Sequence, residues 1–359
     1  MRLSQSKNDS KTVFVGLSGG VDSSVAALRL LQQGYKVVGV FIKVWHPDWL
    51  ECNWEEERLD AMRVAAHLGI PFLTCDAEED YRRDVGEYFV REYQAGRVPN
   101  PDVMCNRYVK FGAFMRFAIK NGADYIATGH YARVREDGGV FRLYKGVDRN
   151  KDQSYFLWTL TQNELSRLLL PIGDTNKEDI RKEAELAGLP TAVKKDSQGI
   201  CFLGHIDIPD FLSHYSELSS GPVLDVHGNT IGTHKGALVY TLGQRHGFTI
   251  DNKGTASAPH FVVAKDMGSN TVIVDTTPPV VVPGSHVYLE SVSWTAEPPK
   301  FDSTVSAMVR YRQEPFEAKL SLEGDKIVVY PEVEVEKPPA GQSCVLYQGD
   351  ECIGGGVIG

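Results

Sequence analysis

The chain of 359 residues has no apolar run that approaches the length needed to span a bilayer, which excludes a helical membrane protein. Its first segment, Met1 to Lys11, is polar and lacks the apolar core of a secretory signal. Cysteine is sparse, at positions 52, 75, 105, 201, 344 and 352, so a disulfide scaffold is excluded and a reducing compartment, the cytoplasm, is expected. No Cys-x-x-Cys occurs, which leaves a zinc ribbon or a thioredoxin-type site without support. Positive charge is in deficit: 38 Lys and Arg face 47 Asp and Glu, a net charge of −9. That balance argues against a broadly basic nucleic-acid face, although phosphate contacts need only a local basic stripe. Stripes exist at Arg133 and Arg135, at Arg142 to Lys151, at Lys194 and Lys195, and at Arg310 and Arg312; most read as solvated surface. No internal repeat stands out.

Two familiar glycine signatures are also missing. There is no Gly-x-x-x-x-Gly-Lys-Ser/Thr, and no Gly-x-Gly-x-x-Gly. Instead the apolar run Val13-Phe14-Val15 leads into Gly16-Leu17-Ser18-Gly19-Gly20-Val21-Asp22-Ser23-Ser24, and a helix starts over Val25 to Leu28. A strand, a glycine-rich turn and a helix N-terminus converge backbone N–H groups on one point, which attracts an anion, above all a phosphate. The serines add hydroxyl donors, and the glycines allow close approach.

The first half continues in strand–helix alternation. Val37 to Ile42 reads as a buried strand, Glu55 to Leu68 as a helix closed by Gly69 and Pro71, and Phe72 to Cys75 as a third strand. Tyr81, Val85, Phe89 and Tyr93 form a core stripe on a helix that ends at Gly96. A helix is expected from about Val109 to Lys120, then a strand from Asp124 to Thr128 running into Gly129-His130. This order implies a parallel sheet with helices on both faces, with ligands beyond the carboxyl ends of the strands. Residues 161–190 read as helical, with capping boxes at Thr161/Glu164 and Thr175/Glu178. From about 216, short β-rich runs alternate with Gly, Pro, Asn and Asp turns. The expected organisation is therefore α/β: a Rossmann-like domain over 1–215 with a helical part at 161–200, a small β-rich domain over 216–278, and a β-barrel over 279–359.

Two constellations carry further chemistry. In Asn100-Pro101-Asp102-Val103-Met104-Cys105-Asn106 the Asn-Pro pair initiates a turn. Cys105 then falls near a helix start, where the dipole favours a thiolate, and Asp102 is within proton-exchange range in sequence. In Lys194-Lys195-Asp196-Ser197-Gln198-Gly199-Ile200-Cys201-Phe202, lysines flank a cysteine in a polar loop. Taken alone, Asp102 reads equally as a helix cap and each cysteine as a small buried residue.

The pattern at 16–24 is that of the PP-loop ATP pyrophosphatases. Joined to Asn-Pro-Asp-x-x-Cys-Asn at 100–106 and Ser-Gln-Gly-Ile-Cys-Phe at 197–202, it strongly resembles the tRNA-specific 2-thiouridylases of bacterial and mitochondrial type. The resemblance continues through Ala-Thr-Gly-His-Tyr-Ala at 127–132, Lys-Asp-Gln-Ser-Tyr-Phe at 151–156, Tyr-Thr-Leu-Gly-Gln-Arg at 240–245, Arg-Tyr-Arg at 310–312, Gly-Gln at 341–342 and the triple glycine at 354–356.

The resemblance implies a reaction and assigns its residues. The C2 oxygen of the wobble uridine, position 34 of tRNA, is adenylated by ATP and replaced by sulfur from a persulfide. Cys201 carries the persulfide, Cys105 resolves it with a Cys105–Cys201 disulfide as one outcome, and Asp102 acts as general acid or base. Gly16, Leu17, Ser18, Gly19, Gly20, Val21, Asp22 and Ser23 hold the ATP phosphates. Asp22 is the candidate for placing Mg²⁺, Ile42 gives an apolar contact to adenine, and Gly129 approaches ATP. Asn100, Pro101 and Asp102 contact a flipped base. His130, Lys151, Asp152, Gln153, Arg310, Tyr311 and Gln342 match tRNA-contacting positions; for His130 a polar strand end, and for Arg310 to Arg312 a charged barrel face, is the plainer alternative. The implied partners are tRNA (Lys, Glu and Gln acceptors) and a persulfide donor, either a sulfur relay carrier or a cysteine desulfurase; a monomer is expected. One stretch departs from the family form: the tryptophan-rich 44–57, with His46 and Cys52, reads as a mobile loop over the site. Another PP-loop ligase, such as an amide-forming enzyme, needs neither Cys105 nor Cys201, and a non-catalytic ATP- or RNA-binding module needs no chemistry at all.

Overall fold

The computed structural model describes residues 10–50, 54–195, 207–251 and 258–359. Its N-terminal part is a five-stranded parallel sheet in the order β3-β2-β1-β4-β7. The strands are β1 (Thr12–Gly16), β2 (Lys36–Lys43), β3 (Phe72–Asp76), β4 (Tyr125–Ala127) and β7 (Leu168–Leu169). Alternation along β1 sorts the core. Val13 and Val15 pack with Leu30, Phe41 and Val64 on one face, where α1 (Val21–Gln32) and α2 (Trp54–Leu68) lie. Phe14 packs with Phe89, Phe114 and Ile126 on the other. That second face is covered by two longer helical runs, α3 over 78–94 and α4 over 101–120, each containing a stretch of wider π turns. The expected stripe of Tyr81, Val85, Phe89 and Tyr93 is buried along α3.

Three local expectations are corrected. α4 begins at Pro101, not near Val109: proline at the first helical position costs no hydrogen bond, and Asn100 Oδ1 caps the run by accepting from the Val103 amide at 3.3 Å. Residues 161–190 hold two helical segments, but the first is one turn long and a strand separates them. A capping box at Thr161/Glu164 starts a single turn, Gln162–Leu165, strand β7 follows, and α5 spans Lys177–Leu186 with Asn176 rather than Thr175 at its N-cap. A hairpin that composition presented as a basic stripe, β5 (Ala132–Asp137) and β6 (Val140–Lys145), turns at Gly138-Gly139, both at positive φ.

After α6 (Ile208–Ser213), five strands form a small sheet in the order β10-β9-β8-β12-β11. They are β8 (Gly221–Leu224), β9 (Thr230–His234), β10 (Phe248–Ile250), β11 (Phe261–Asp266) and β12 (Thr271–Asp275). Two further short strands, β13 (Val280–Val281) and β18 (Val335–Glu336), pair with each other. The C-terminal strands β14 (Val287–Trp294), β15 (Ser303–Met308), β16 (Phe316–Glu323), β17 (Lys326–Pro331), β19 (Ser343–Gln348) and β20 (Glu351–Ile358) close into a barrel through the β14–β20 pairing. Val305, Ala318, Leu320, Val329 and Leu346 fill it. The triple glycine lies in β20. A Cβ at Gly354 would sit 2.3 Å from the Ser293 carbonyl oxygen, and one at Gly355 2.5 Å from that of Cys344. The β5–β6 hairpin joins this barrel sheet through Tyr144↔Glu351 and Leu143↔Cys352, so the N-terminal chain and the barrel share one sheet.

Candidate active site

Strands β1 and β4 are parallel neighbours, so the turns leaving them open on the same edge. After β1, Leu17 drops its side chain into the core and ties its amide to the Val40 carbonyl at 2.8 Å. Gly19 then takes φ +69°, and a Cβ there would meet the Glu57 carbonyl oxygen at 2.7 Å, so the turn lies directly against α2. Ser18 and Ser23 hydroxyls lie 3.3 Å apart across the turn, and Gly20 precedes α1 without a side-chain cap. The first-turn N–H groups of α1 have no acceptor within the helix and face the opening. From β4 the chain leaves through Gly129, where a Cβ would be 2.7 Å from both the Asp22 carbonyl carbon and the Ser23 nitrogen. The two turns touch. Ile42, half-buried near the end of β2, lies beside Gly16: a Cβ on Gly16 would contact Ile42 Cδ1 and Phe114 Cε1, each at 3.6 Å. These residues fit a triphosphate with an apolar floor beside it.

Asp22 does not fit a metal ligand. Lys177 Nζ donates to its two oxygens at 2.7 and 2.8 Å, and Tyr131 Oη donates to Oδ1 at 2.7 Å. Among the described residues no group of three or more His, Cys, Asp or Glu is placed to hold a metal ion.

α4 brings the second half of the site. Because Asn100 supplies the cap, Asp102 has no capping duty; burial raises its pKa, with Lys110 pulling the other way. Lys110 also faces His130, which is buried and held neutral well below the usual imidazole range, chiefly by desolvation. His130 Nδ1 shares a 2.7 Å hydrogen bond with Thr128 Oγ1. Cys105 is buried one turn after the cap. Asn106 Nδ2 donates to the Phe156 carbonyl at 3.1 Å, while its Oδ1 is buried without a partner. Cys201, with the rest of 196–206, lies outside the described residues, as does Cys52.

The remaining sequence-derived positions divide by exposure. Asp152 is turned inward: its carboxylate accepts from the Gly146 amide at 2.8 Å and from Ser154, and burial raises its pKa. Gln153 and Tyr131 exchange two hydrogen bonds, fixing the Tyr131 backbone. Gln342 Nε2 donates to the Val98 and Pro99 carbonyls at 2.8 and 3.2 Å, so the barrel braces the chain just ahead of Asn100. Tyr311 packs on Phe156 with ring centroids 4.5 Å apart, Lys151 is half-buried, and Arg310 is exposed in a two-point ion pair with Glu336. Other basic residues are also paired: Arg142 with Glu351, Arg149 with Asp350, Lys194 with Asp60. The tryptophan-rich stretch is packed where described: Trp45 covers Gly86, and Trp49 stacks on His214 at 3.7 Å. A separate cleft of about 390 Å³, lined by Arg91, Arg97, Arg107 and Tyr108, shares no residue with the phosphate turn.

Sequence reasoning missed Lys177, Tyr131 and Lys110. For Lys177 a signal existed: a lysine at the first position of a helix opposes the helix dipole and calls for a nearby acid.

Three family profiles match in succession: the tRNA methyl transferase HUP domain over 11–205, the tRNA methyl transferase PRC-barrel domain over 209–276, and the aminomethyltransferase beta-barrel domain over 285–358. Full-length relatives carry a different name. A tRNA-specific 2-thiouridylase of Streptococcus mutans is 44% identical, with 98% of this chain and 96% of the relative aligned. Another, of Xanthomonas campestris, is 46% identical, covering 96% and 93%. A solved U34-tRNA thiolase of Methanococcus maripaludis overlaps 60% of this chain and 70% of its own at 16% identity and a TM-score of 0.36, too slight a likeness to carry an argument. With that degree of identity along almost its whole length, the chain belongs to the tRNA-specific 2-thiouridylases, a family of sulfurtransferase enzymes.

Proposed function

We propose that this protein thiolates the wobble uridine of tRNA at C2, consuming ATP. The observation that carries the reading is the likeness to 2-thiouridylases over nearly the full chain. The geometry of the two touching turns supports the use of ATP.

A uracil carbonyl oxygen is a poor leaving group. In the first step the uridine O2 attacks the α-phosphorus of ATP and pyrophosphate departs; AMP is now the leaving group. Gly16 to Ser23 hold the phosphates through backbone N–H groups, Gly129 closes the other side, and Ile42 lies under adenine. In the second step the terminal sulfur of a Cys201 persulfide attacks C2, and AMP leaves with the former O2. The Cys105 thiolate then attacks the Cys201 sulfur: a Cys105–Cys201 disulfide forms, the sulfur–sulfur bond to the base breaks, and the thiocarbonyl is released. A dithiol reductant returns the disulfide to two thiols, itself becoming a disulfide, and a new persulfide from a donor protein resets the enzyme. Asp102 exchanges the proton of the base, which Asn100 and Pro101 receive in flipped form. Lys151, Gln153, Arg310 and Tyr311 meet tRNA directly; His130, Asp152 and Gln342 shape that surface from beneath. A monomer in a reducing compartment such as the cytoplasm suits a cycle that needs free thiols.

Incubation with unmodified tRNA (Lys, Glu or Gln acceptor), ATP, Mg²⁺ and a sulfide source, followed by nucleoside mass analysis, tests the reading. We expect 2-thiouridine from the wild type, and none from Cys201→Ser or Cys105→Ser when a persulfide donor replaces sulfide. No 2-thiouridine from the wild type would instead indicate a PP-loop ligase of another kind, and full activity of both serine variants would remove the two cysteines from the sulfur transfer.

A further inference from the structure

The phosphate turn contains a carboxylate where a polyanion is to bind. Asp22 is the second residue of α1, at the helix end whose dipole and free N–H groups attract phosphate. An uncompensated acid at that point opposes the turn's own purpose. The compensation comes from 155 positions away. Lys177, the first residue of α5, has only 10% of its side chain exposed and contacts both Asp22 oxygens, while Tyr131 Oη completes the set. The Lys177 ammonium also lies 5.8 Å from the centre of the Tyr131 ring.

This contact is not needed merely to dock α5 on α1. Farther along, Arg29 grips Glu183 through its Nε and Nη2 and donates to the Pro171 carbonyl and Thr175 Oγ1. Ser24 and Thr191 hydroxyls meet at 2.9 Å. Arg29 therefore already ties α1 to α5, and Ser24 ties it to the segment after α5, while the Lys177 contact is placed at the anion-binding turn.

We infer that Lys177 is a positioning residue for ATP: it neutralises Asp22 and turns that carboxylate away from the phosphates, so that Asp22 neither repels them nor serves as a magnesium ligand. The lysine that a Walker turn carries within itself is here supplied from a distant helix. The inference rests on ATP being the bound nucleotide. It distinguishes two roles for one carboxylate, and the roles respond oppositely to charge removal.

The test is equilibrium ATP binding, by calorimetry, to the full-length wild type, Lys177→Met, Asp22→Asn and the double variant, each with and without Mg²⁺ and each checked for folding by thermal melting. We expect Lys177→Met to weaken ATP binding about tenfold, because it leaves Asp22 charged and unpaired beside the phosphates. Asp22→Asn should bind ATP at least as well as wild type, and the double variant should return to within about threefold of it. A merely structural lysine would show no such rescue. The inference is overturned if the double variant binds no better than Lys177→Met, or if Asp22→Asn loses affinity and its response to Mg²⁺ together. Should Lys177→Met fail to fold, Asp22→Asn and the double variant decide between the same outcomes. A wild type that binds no ATP overturns the proposed function itself, and this inference with it.

Discussion

Asp102 shows how a neighbour can relieve a residue of its structural duty. Asn100 takes the capping hydrogen bond, and Asp102 is left in a buried position where desolvation favours its protonated form and Lys110 opposes that shift. Raised above the ordinary carboxylate value of 3.8, the group holds a proton more readily in the folded than in the unfolded chain. Its ionised form therefore disfavours folding as pH rises through the folded pKa, and Asp102→Asn should melt no lower than wild type at pH 7. The same variant should lose about 10² to 10⁴ in kcat/KM, the range for a general acid or base. Lys110→Met removes the opposing charge, so the acid limb of the pH–kcat/KM profile should move to higher pH. An unmoved limb would separate Asp102 from the rate-controlling proton. Both measurements need only steady-state thiolation across pH.

Elements make this site by contact between turns, and glycine permits the contact. Gly129→Ala puts a methyl group 2.7 Å from backbone atoms of Asp22 and Ser23, which cannot rotate away. We expect it to cost about 1–3 kcal/mol in stability and to weaken ATP binding at least as much as Lys177→Met does; denaturant unfolding and calorimetry measure the two. The strand–turn–helix order that makes this contact was legible in the sequence, because buried parallel strands and a glycine-rich turn leave strong local signals. Legibility failed where one local signal had two meanings. Asn100-Pro101 reads as a turn between two helices and is the start of the second, since proline lacks only an N–H that the first turn does not use. Arg133, Arg135 and Arg142 read as a charged stripe, most of it solvated surface, and lie on a hairpin where Arg133 is largely buried near Asp174 and Asp350 and Arg142 meets Glu351. Gln342, matched to an RNA-contact position, also braces two carbonyls across a domain seam, a partner that no local pattern encodes. The lysine facing Asp22 left a local hint in its place at a helix start, but the acid it meets lies 155 positions away.

On the scale of the whole molecule the question is how a chain of net charge −9 binds a polyanion. The barrel is tied to the N-terminal part by a shared sheet, so basic residues of both lie on one framework. Much of their charge is already paired within the protein. Arg310 is the clearest case: its guanidinium meets Glu336 at 2.7 Å through two hydrogen bonds, with the side chains 45% and 40% exposed. An exposed pair of this kind contributes little to folding, at most about 1 kcal/mol, so it can open toward a phosphate at small cost. On the proposed RNA surface the acid would then act as a brake on affinity rather than as a support for the fold. Glu336→Gln should tighten tRNA binding severalfold with little change in melting temperature, while Arg310→Ala should weaken it and reduce the salt slope by about one. For the wild type, three neutralised phosphates correspond to roughly a 40-fold loss of affinity between 50 and 200 mM salt. Filter binding of unmodified tRNA across that range measures all three quantities. A flat salt response, or a Glu336→Gln variant that binds no tighter than wild type, would remove Arg310 from the RNA surface and leave its ion pair as an ordinary feature of the barrel.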